Sequence, residues 1–363
     1  MKKEINQPNP DFSRFRKAVL CQGEPDRLPF VELFVDPEIM GTLLEEPLSV
    51  PELKDSDSVK KYIRQQIRYW YEYGYDYVSI SLDLGMPLKR VTVADTASLS
   101  RGKREWVDQS VALIKNWEDF EKYPWPEPRT INYFPIEYAA RNLPSGMKII
   151  EWVRGILQWT LQIMGFENFS YILIDQPELV ENVFKKIGNV LVHMCSTLAD
   201  MDKVGALWVG DDMGYRSGTL ISPQLLRKYI FPWYKKIADI AHAHELPFLF
   251  HSCGNLEEIM NDLIDFVGID AKHSFEDAIM PVTEVKKKYG NRICVLGGVD
   301  MDLLARGETR KVRDYVRRVI QECAPGGGYC LGTGNSVANY LKIENYVAML
   351  DEGWKHGKYP IEV

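Results

Sequence analysis

The chain has 363 residues, 45% of them hydrophobic, and a formal net charge of -7 at pH 7. That length and apolar content fill one large α/β domain or two ordinary ones. The acidic balance, with a sequence pI near 5.6, argues against a general affinity for nucleic acid or anionic membranes and for a small-molecule ligand.

No stretch approaches the ~20 apolar residues of a membrane span, and the polar first residues lead into no secretory segment, so a cytoplasmic protein is expected. The six cysteines are spread along the chain, unlike the disulfide framework of a small secreted domain, and are expected to be reduced. Short β-rich runs then alternate with longer segments of helical periodicity. The predicted strands are Leu28–Leu33, Tyr77–Leu82, Lys148–Val153, Ala206–Val209, Phe248–His251, Val267–Ala271, Ile293–Leu296 and Tyr329–Leu331, and helices are expected over Ser58–Tyr73, Pro177–Met201, Pro223–His244 and Thr309–Glu322. Ser222 before Pro223 and Asn255 before Leu256 mark helix starts. Eight alternating units with near-continuous apolar strands predict a single parallel (β/α)8 barrel spanning residues 1–363, of the TIM type. The stretch from Lys89 to Leu143, with Trp106, Trp117 and Trp125, is expected as an insertion over the barrel mouth. No Gly-x-Gly-x-x-Gly follows the first strand and no Walker A pattern occurs, which removes support from the nucleotide-binding folds.

In such a barrel the chemistry sits at the C-terminal ends of the strands. Glu32, Asp83, Glu151, Asp211 with Asp212, and His251 with Cys253 fall at successive predicted ends, followed by Asp270, Lys272, His273 and Glu276. His251 and Cys253 are two residues apart at the end of an apolar run, so an extended chain turns imidazole and thiol to one side. Nitrogen plus sulfur is a donor mixture suited to zinc, which requires at least one further protein ligand. Cys330 in the last strand and Glu276 after the sixth are level candidates, and His273 lies within reach. Asp83, Asp211 and Glu151 are candidates to orient substrate or move a proton.

Four segments together carry a family resemblance: Cys21-Gln-Gly-Glu-Pro-Asp-Arg-Leu-Pro, Ser222-Pro leading into Phe231-Pro-Trp-Tyr, His251-Ser-Cys-Gly-Asn, and Leu296-Gly-Gly-Val-Asp300. They resemble the uroporphyrinogen decarboxylase superfamily, which implies one distorted (β/α)8 barrel with a deep cleft. Its decarboxylases carry an arginine-bearing Arg-Gln-Ala-Gly-Arg run after the first strand. Here that stretch is Glu32-Leu-Phe-Val-Asp-Pro-Glu38, although Asp83 matches the decarboxylase aspartate. The tyrosine that the family carries in the Gly155–Gly165 segment is missing, and Thr333 stands at the place of its late histidine. The other branch moves methyl groups to or from a corrinoid protein through zinc held by His-x-Cys, intact here as His251 and Cys253. In place of that branch's third ligand, a cysteine after the last strand, stands Gly332-Thr333-Gly334; related methionine synthases use a glutamate near the position of Glu276. The resemblance implies a zinc-dependent methyltransferase. The chain has no Asp-x-His-x-x-Gly motif, so the corrinoid is expected on a separate partner protein, and dimerisation of the barrel is left open. A decarboxylase acting on a tetrapyrrole or smaller carboxylate is the alternative.

Overall fold

The computed structural model, which describes residues 8–48, 51 and 55–361, lays the apolar runs side by side in one parallel sheet of seven strands. In spatial and chain order these are β1 (Tyr77–Ile80), β2 (Lys148–Arg154), β3 (Val204–Gly210), β4 (Phe248–His251), β5 (Ala271–His273), β6 (Cys294–Leu296) and β7 (Tyr329–Cys330). All residues of β1, β3 and β4 are buried, as expected for strands covered on both faces. Helices Ser56–Glu72, Pro177–Ala199 and Thr309–Cys323 supply part of the outer layer. Each presents one apolar stripe inward, for example Val183, Ile187, Leu191 and Met194. The predicted helix over 223–244 is two pieces, Pro223–Tyr229 and Phe231–Ala243. Pro232 supplies no N–H to bond the preceding turn, so the chain bends there and restarts.

The predicted first strand, Leu28–Leu33, forms no regular ladder. It makes a single parallel bridge to the last strand region, Phe30 with Leu331, and just beyond it Val35 bridges Val337. Towards β1 the link is made by side chains. The Tyr77 hydroxyl accepts from Glu32 N at 2.8 Å and donates to Glu32 O at 2.6 Å, and Ser79 Oγ donates to Leu33 O at 2.6 Å. The curled sheet of seven strands therefore meets an eighth extended segment across a seam of hydroxyl contacts.

The predicted strand Val267–Ala271 is displaced. Residues Asp262–Val267 close a π-helical turn, Gly268 reverses the chain at φ 84°, and β5 begins only at Ala271. A β-branched run that reads as a strand is used instead to pack the turn, with Leu263 and Val267 buried. The shift carries His273 into the sheet, in register with His251.

Within 89–143 the first feature is a hairpin, Arg90–Ala94 with Lys103–Val107, whose strands are largely exposed. It is fastened to the C-terminal side of the sheet. Arg104 reaches Asp36 at 3.2 Å, and Asn339 Nδ2 donates to Asp95 at 2.8 Å. Among the described residues no helix is long and apolar enough to cross a membrane.

Candidate metal centre

At the end of β3 the chain reads Gly210-Asp211-Asp212, and alternation sends the two carboxylates to opposite faces of the sheet. Asp211 turns outward. Its carboxylate accepts from Leu157 N at 3.0 Å and Gln158 N at 2.7 Å, and from the Tyr234 hydroxyl. It thus satisfies the first free amides of helix Ile156–Met164, whose N-cap, Gly155, has no side chain to do so. A Cβ at Gly155 would lie 2.1 Å from Asp211 Cβ, so the glycine makes room for this cap. Burial pushes the Asp211 carboxyl up to about 7 against these three donors.

Asp212 turns inward and meets the end of β4. Its Oδ1 is 3.5 Å from His251 Nε2 and accepts from Cys253 N at 3.0 Å. His251 Nε2 and Cys253 Sγ are 3.6 Å apart. One ligand atom from each of Asp212, His251 and Cys253 falls within 4.8 Å of the others, a grouping able to hold a metal ion.

Neighbouring groups set the orientation of these donors. His251 Nδ1 and His273 Nδ1 lie 2.8 Å apart, so one ring donates to the other and His251 is left with Nε2 facing Cys253 and Asp212. Cys253 Sγ accepts from Asn335 Nδ2 at 3.1 Å and from Ser274 Oγ at 3.6 Å. Ser274 holds φ at +81°, a backbone conformation rare for serine, which is the kind of local strain found at functional positions. Gly254, at φ +82°, lets the chain after Cys253 pass against Gly214, where a Cβ would come within 2.3 Å of backbone.

The charges couple. Burial alone would depress the His251 imidazole, but the sulfur of Cys253 and the Asp212 carboxylate push it up to about 9. Burial would raise Asp212, but the hydrogen bond and charge of His251 hold it well below the usual carboxylate range. Burial, with His251 and Lys272 beside it, drives His273 far below the ordinary imidazole value, so it stays neutral.

The other sequence candidates lie elsewhere. Cys330 is buried with its thiol against Cys294, and the structure does not bring it into the cluster. Glu276 is exposed and lines an adjoining cleft with Leu256, Met260, Lys272, Ser274 and Ile279, outside the three-donor grouping. Glu151, in β2, faces the helical layer: it accepts from Leu82 N, at 3.4 Å, and burial pushes its carboxyl up to about 8. Asp83 is exposed near the mouth, where its Oδ1 accepts from Gly85 N at 2.9 Å. Glu32 is fully buried and bonded to Thr333 N and Oγ1 at 2.9 and 2.6 Å; burial raises it to about 8, so it brings no negative charge to the cleft. The third donor, Asp212, was visible in the sequence as the second of two adjacent acids. The signal that separates it from Asp211 is parity: Gly210 pairs with His251, so position 212 shares the inward face.

Comparison with known proteins bears on this arrangement. The uroporphyrinogen decarboxylase (URO-D) family model matches residues 50–355. The chain is 22% identical over 204 residues to a uroporphyrinogen decarboxylase of Trichodesmium erythraeum and 24% identical over 200 residues to one of Thioalkalivibrio sulfidiphilus. These matches cover 52% and 53% of this chain, which spans about half the length of both curated relatives. Among solved structures, a methyltransferase from Methanosarcina mazei shares the fold with a TM-score of 0.69 at 15% identity, over 94% of this chain and 97% of that one. The match along most of the sequence, on a curled parallel sheet with its polar cluster at the strand ends, establishes that the chain belongs to the uroporphyrinogen decarboxylase family.

Proposed function

We propose that the protein is a zinc-dependent methyltransferase, built on an eight-membered barrel, that moves a methyl group between a small substrate and a corrinoid carried by a separate protein. The observation that carries this reading is the convergence of Asp212, His251 and Cys253 within 4.8 Å. Nitrogen, sulfur and carboxylate oxygen are donors that zinc accepts, and three protein ligands leave a position for substrate. Held there, zinc would supply Lewis-acid activation of a thiol acceptor or of a methyl-bearing oxygen of the substrate, the corrinoid being the other partner in the transfer.

The protein's own part is positional. His273 fixes which nitrogen of His251 faces the cluster, and the Asn335 amide stabilises negative charge on Cys253 Sγ. Asp83, exposed at the mouth, is placed to orient substrate or exchange a proton with solvent. Asp211 and Glu151 support the scaffold from the far side of the sheet. The shared fold of the Methanosarcina methyltransferase favours this reading. The name of the two sequence relatives favours the alternative, a decarboxylase that needs no metal.

Metal analysis of the purified protein tests the choice. About one equivalent of zinc, lost in His251→Ala together with methyl transfer from methylcobalamin to a thiol, is expected. Protein that is metal-free and converts uroporphyrinogen to coproporphyrinogen would establish the alternative instead.

A further inference from the structure

Beside the cluster, β2 ends in Trp152 and Arg154, both on the inward face. They line a cleft of about 1050 Å³, open to solvent, whose other walls include Phe34, Tyr62, Trp70 and Asp36, the last already paired with Arg104. Trp152 stacks on Phe34 with ring centres 5.7 Å apart and planes at 24°. Gly210 lies between Trp152, in the wall of this cleft, and His251 of the cluster. A Cβ there would sit 3.5 Å from the Trp152 ring and 3.7 Å from the His251 ring, so no side chain stands between the indole and the imidazole at this position.

Arg154 is the unusual member. Its guanidinium lies over Trp159 at 4.7 Å and donates to Gln162 Oε1 at 2.9 Å, yet among the described residues no carboxylate forms an ion pair with it. Burial and the like charge of Arg90 on the hairpin oppose its ionisation, partly offset by Asp83 and Asp212. A half-buried guanidinium with spare donors and a second cation nearby is a site short of an anion. Lys272 offers no such opening, because its ammonium already donates to the carbonyls of Ser252, His273 and Ser274 at 3.2, 3.1 and 2.6 Å.

We propose that Arg154 binds the carboxylate of the substrate, and that this substrate is a small organic acid whose flat apolar body lies along Phe34 and Trp152 with its other end at the Asp212–His251–Cys253 cluster. A planar guanidinium pairs with a carboxylate through two parallel N–H···O contacts, and the aromatic wall supplies the burial that a small anion lacks. Assigning the cleft to the reacting substrate rests on the methyltransferase reading; the recognition of carboxylate by Arg154 does not.

Benzoate and benzamide, nearly equal in shape and differing in charge, are the probes, with binding followed by calorimetry on the full chain with and without zinc. Benzoate is expected to bind at least about tenfold more tightly than benzamide. Arg154→Gln removes that preference, weakening benzoate about tenfold or more and benzamide less than about threefold, while Arg154→Lys falls between. Arg90→Gln, a change at an exposed hairpin residue, weakens benzoate by about two- to fourfold and guards against a folding defect at Arg154. The proposal is overturned if wild type prefers neither probe or binds neither, or if the preference survives in Arg154→Gln. An Arg154-dependent preference in protein that takes up no zinc would sink the metal reading and leave the carboxylate site standing.

Discussion

Between pH 7 and pH 9 the affinity of the Asp212–His251–Cys253 cluster for zinc is expected to rise by about fiftyfold, because a proton and the metal compete for the same nitrogen. Burial alone would depress the His251 imidazole, but Cys253 and Asp212 raise it to about 9, so at neutral pH the metal displaces a proton from Nε2. Each pH unit below that value weakens apparent binding about tenfold, or about 3 kcal/mol in all at pH 7. The metal-free protein responds in the opposite sense. A histidine raised in the folded state stabilises it fully below its unfolded value of about 6.5, and the contribution is lost as pH climbs through 9. Competition with a chromophoric chelator from pH 6.5 to 9.5 gives the affinities, and thermal melts with and without zinc give the stabilities. Asp212→Asn removes both a ligand and a carboxylate that holds the proton on His251. It lowers affinity at pH 9.5 by at least about tenfold and moves the break in the profile below pH 9. Affinity that stays flat from pH 7 to 9 in wild type would refute the proton competition and with it the role of His251 Nε2 as a ligand.

Three further outcomes are expected. Asp211→Asn weakens the cap on helix Ile156–Met164 and costs about 1–2 kcal/mol in denaturant melts, while zinc affinity stays within about threefold; a collapse of zinc binding would place Asp211 in the cluster after all. His273→Ala removes the partner of His251 Nδ1 and lowers zinc affinity by about 10- to 100-fold without removing a ligand, and an unchanged affinity would show that His251 is held some other way. Glu151 has its folded value raised from 4.5 to about 8, so the stability linked to its proton is present below pH 4.5 and is lost as pH rises through 8. Glu151→Gln therefore flattens the alkaline loss and is more stable than wild type by ~1–3 kcal/mol at pH 9; a less stable variant there would contradict the assignment.

The elements that could be read from the sequence were those set by local pattern. The apolar run Phe248–His251 and the two-residue offset to Cys253 place imidazole and thiol on one side of the chain, 3.6 Å apart in the structure. Asp212 was harder to read, since choosing it over Asp211 needs the pairing of Gly210 with His251, a fact of register between strands distant in sequence. The sixth strand was misplaced because Val267 and Ile269 carry strand propensity, whereas the π-helical turn and Gly268 are dictated by packing. The same shift sets His273 beside His251, a register that the local pattern does not reveal. Leu28–Leu33 has the composition of a strand, but nothing local reveals that Tyr77 and Ser79 meet it with hydroxyls in place of amides. Nothing local in the sequence marks Trp152 or Arg154, since their place in the cleft depends on Phe34 and on the helix that follows β2.

The hydroxyl seam makes the sheet unequal around its circumference. Elsewhere, parting two neighbours breaks a run of amide-to-carbonyl bonds, as between β2 and β3, where the register extends from Ile149 to Arg154. Between Glu32–Leu33 and β1, the Tyr77 and Ser79 side chains provide the link, and the large cleft opens at this same line, bounded by Phe34 and Ser79. That line has the fewest bonds to break if the wall is to part, whereas the strands that carry Asp212 and His251 are tied to one another by backbone pairing.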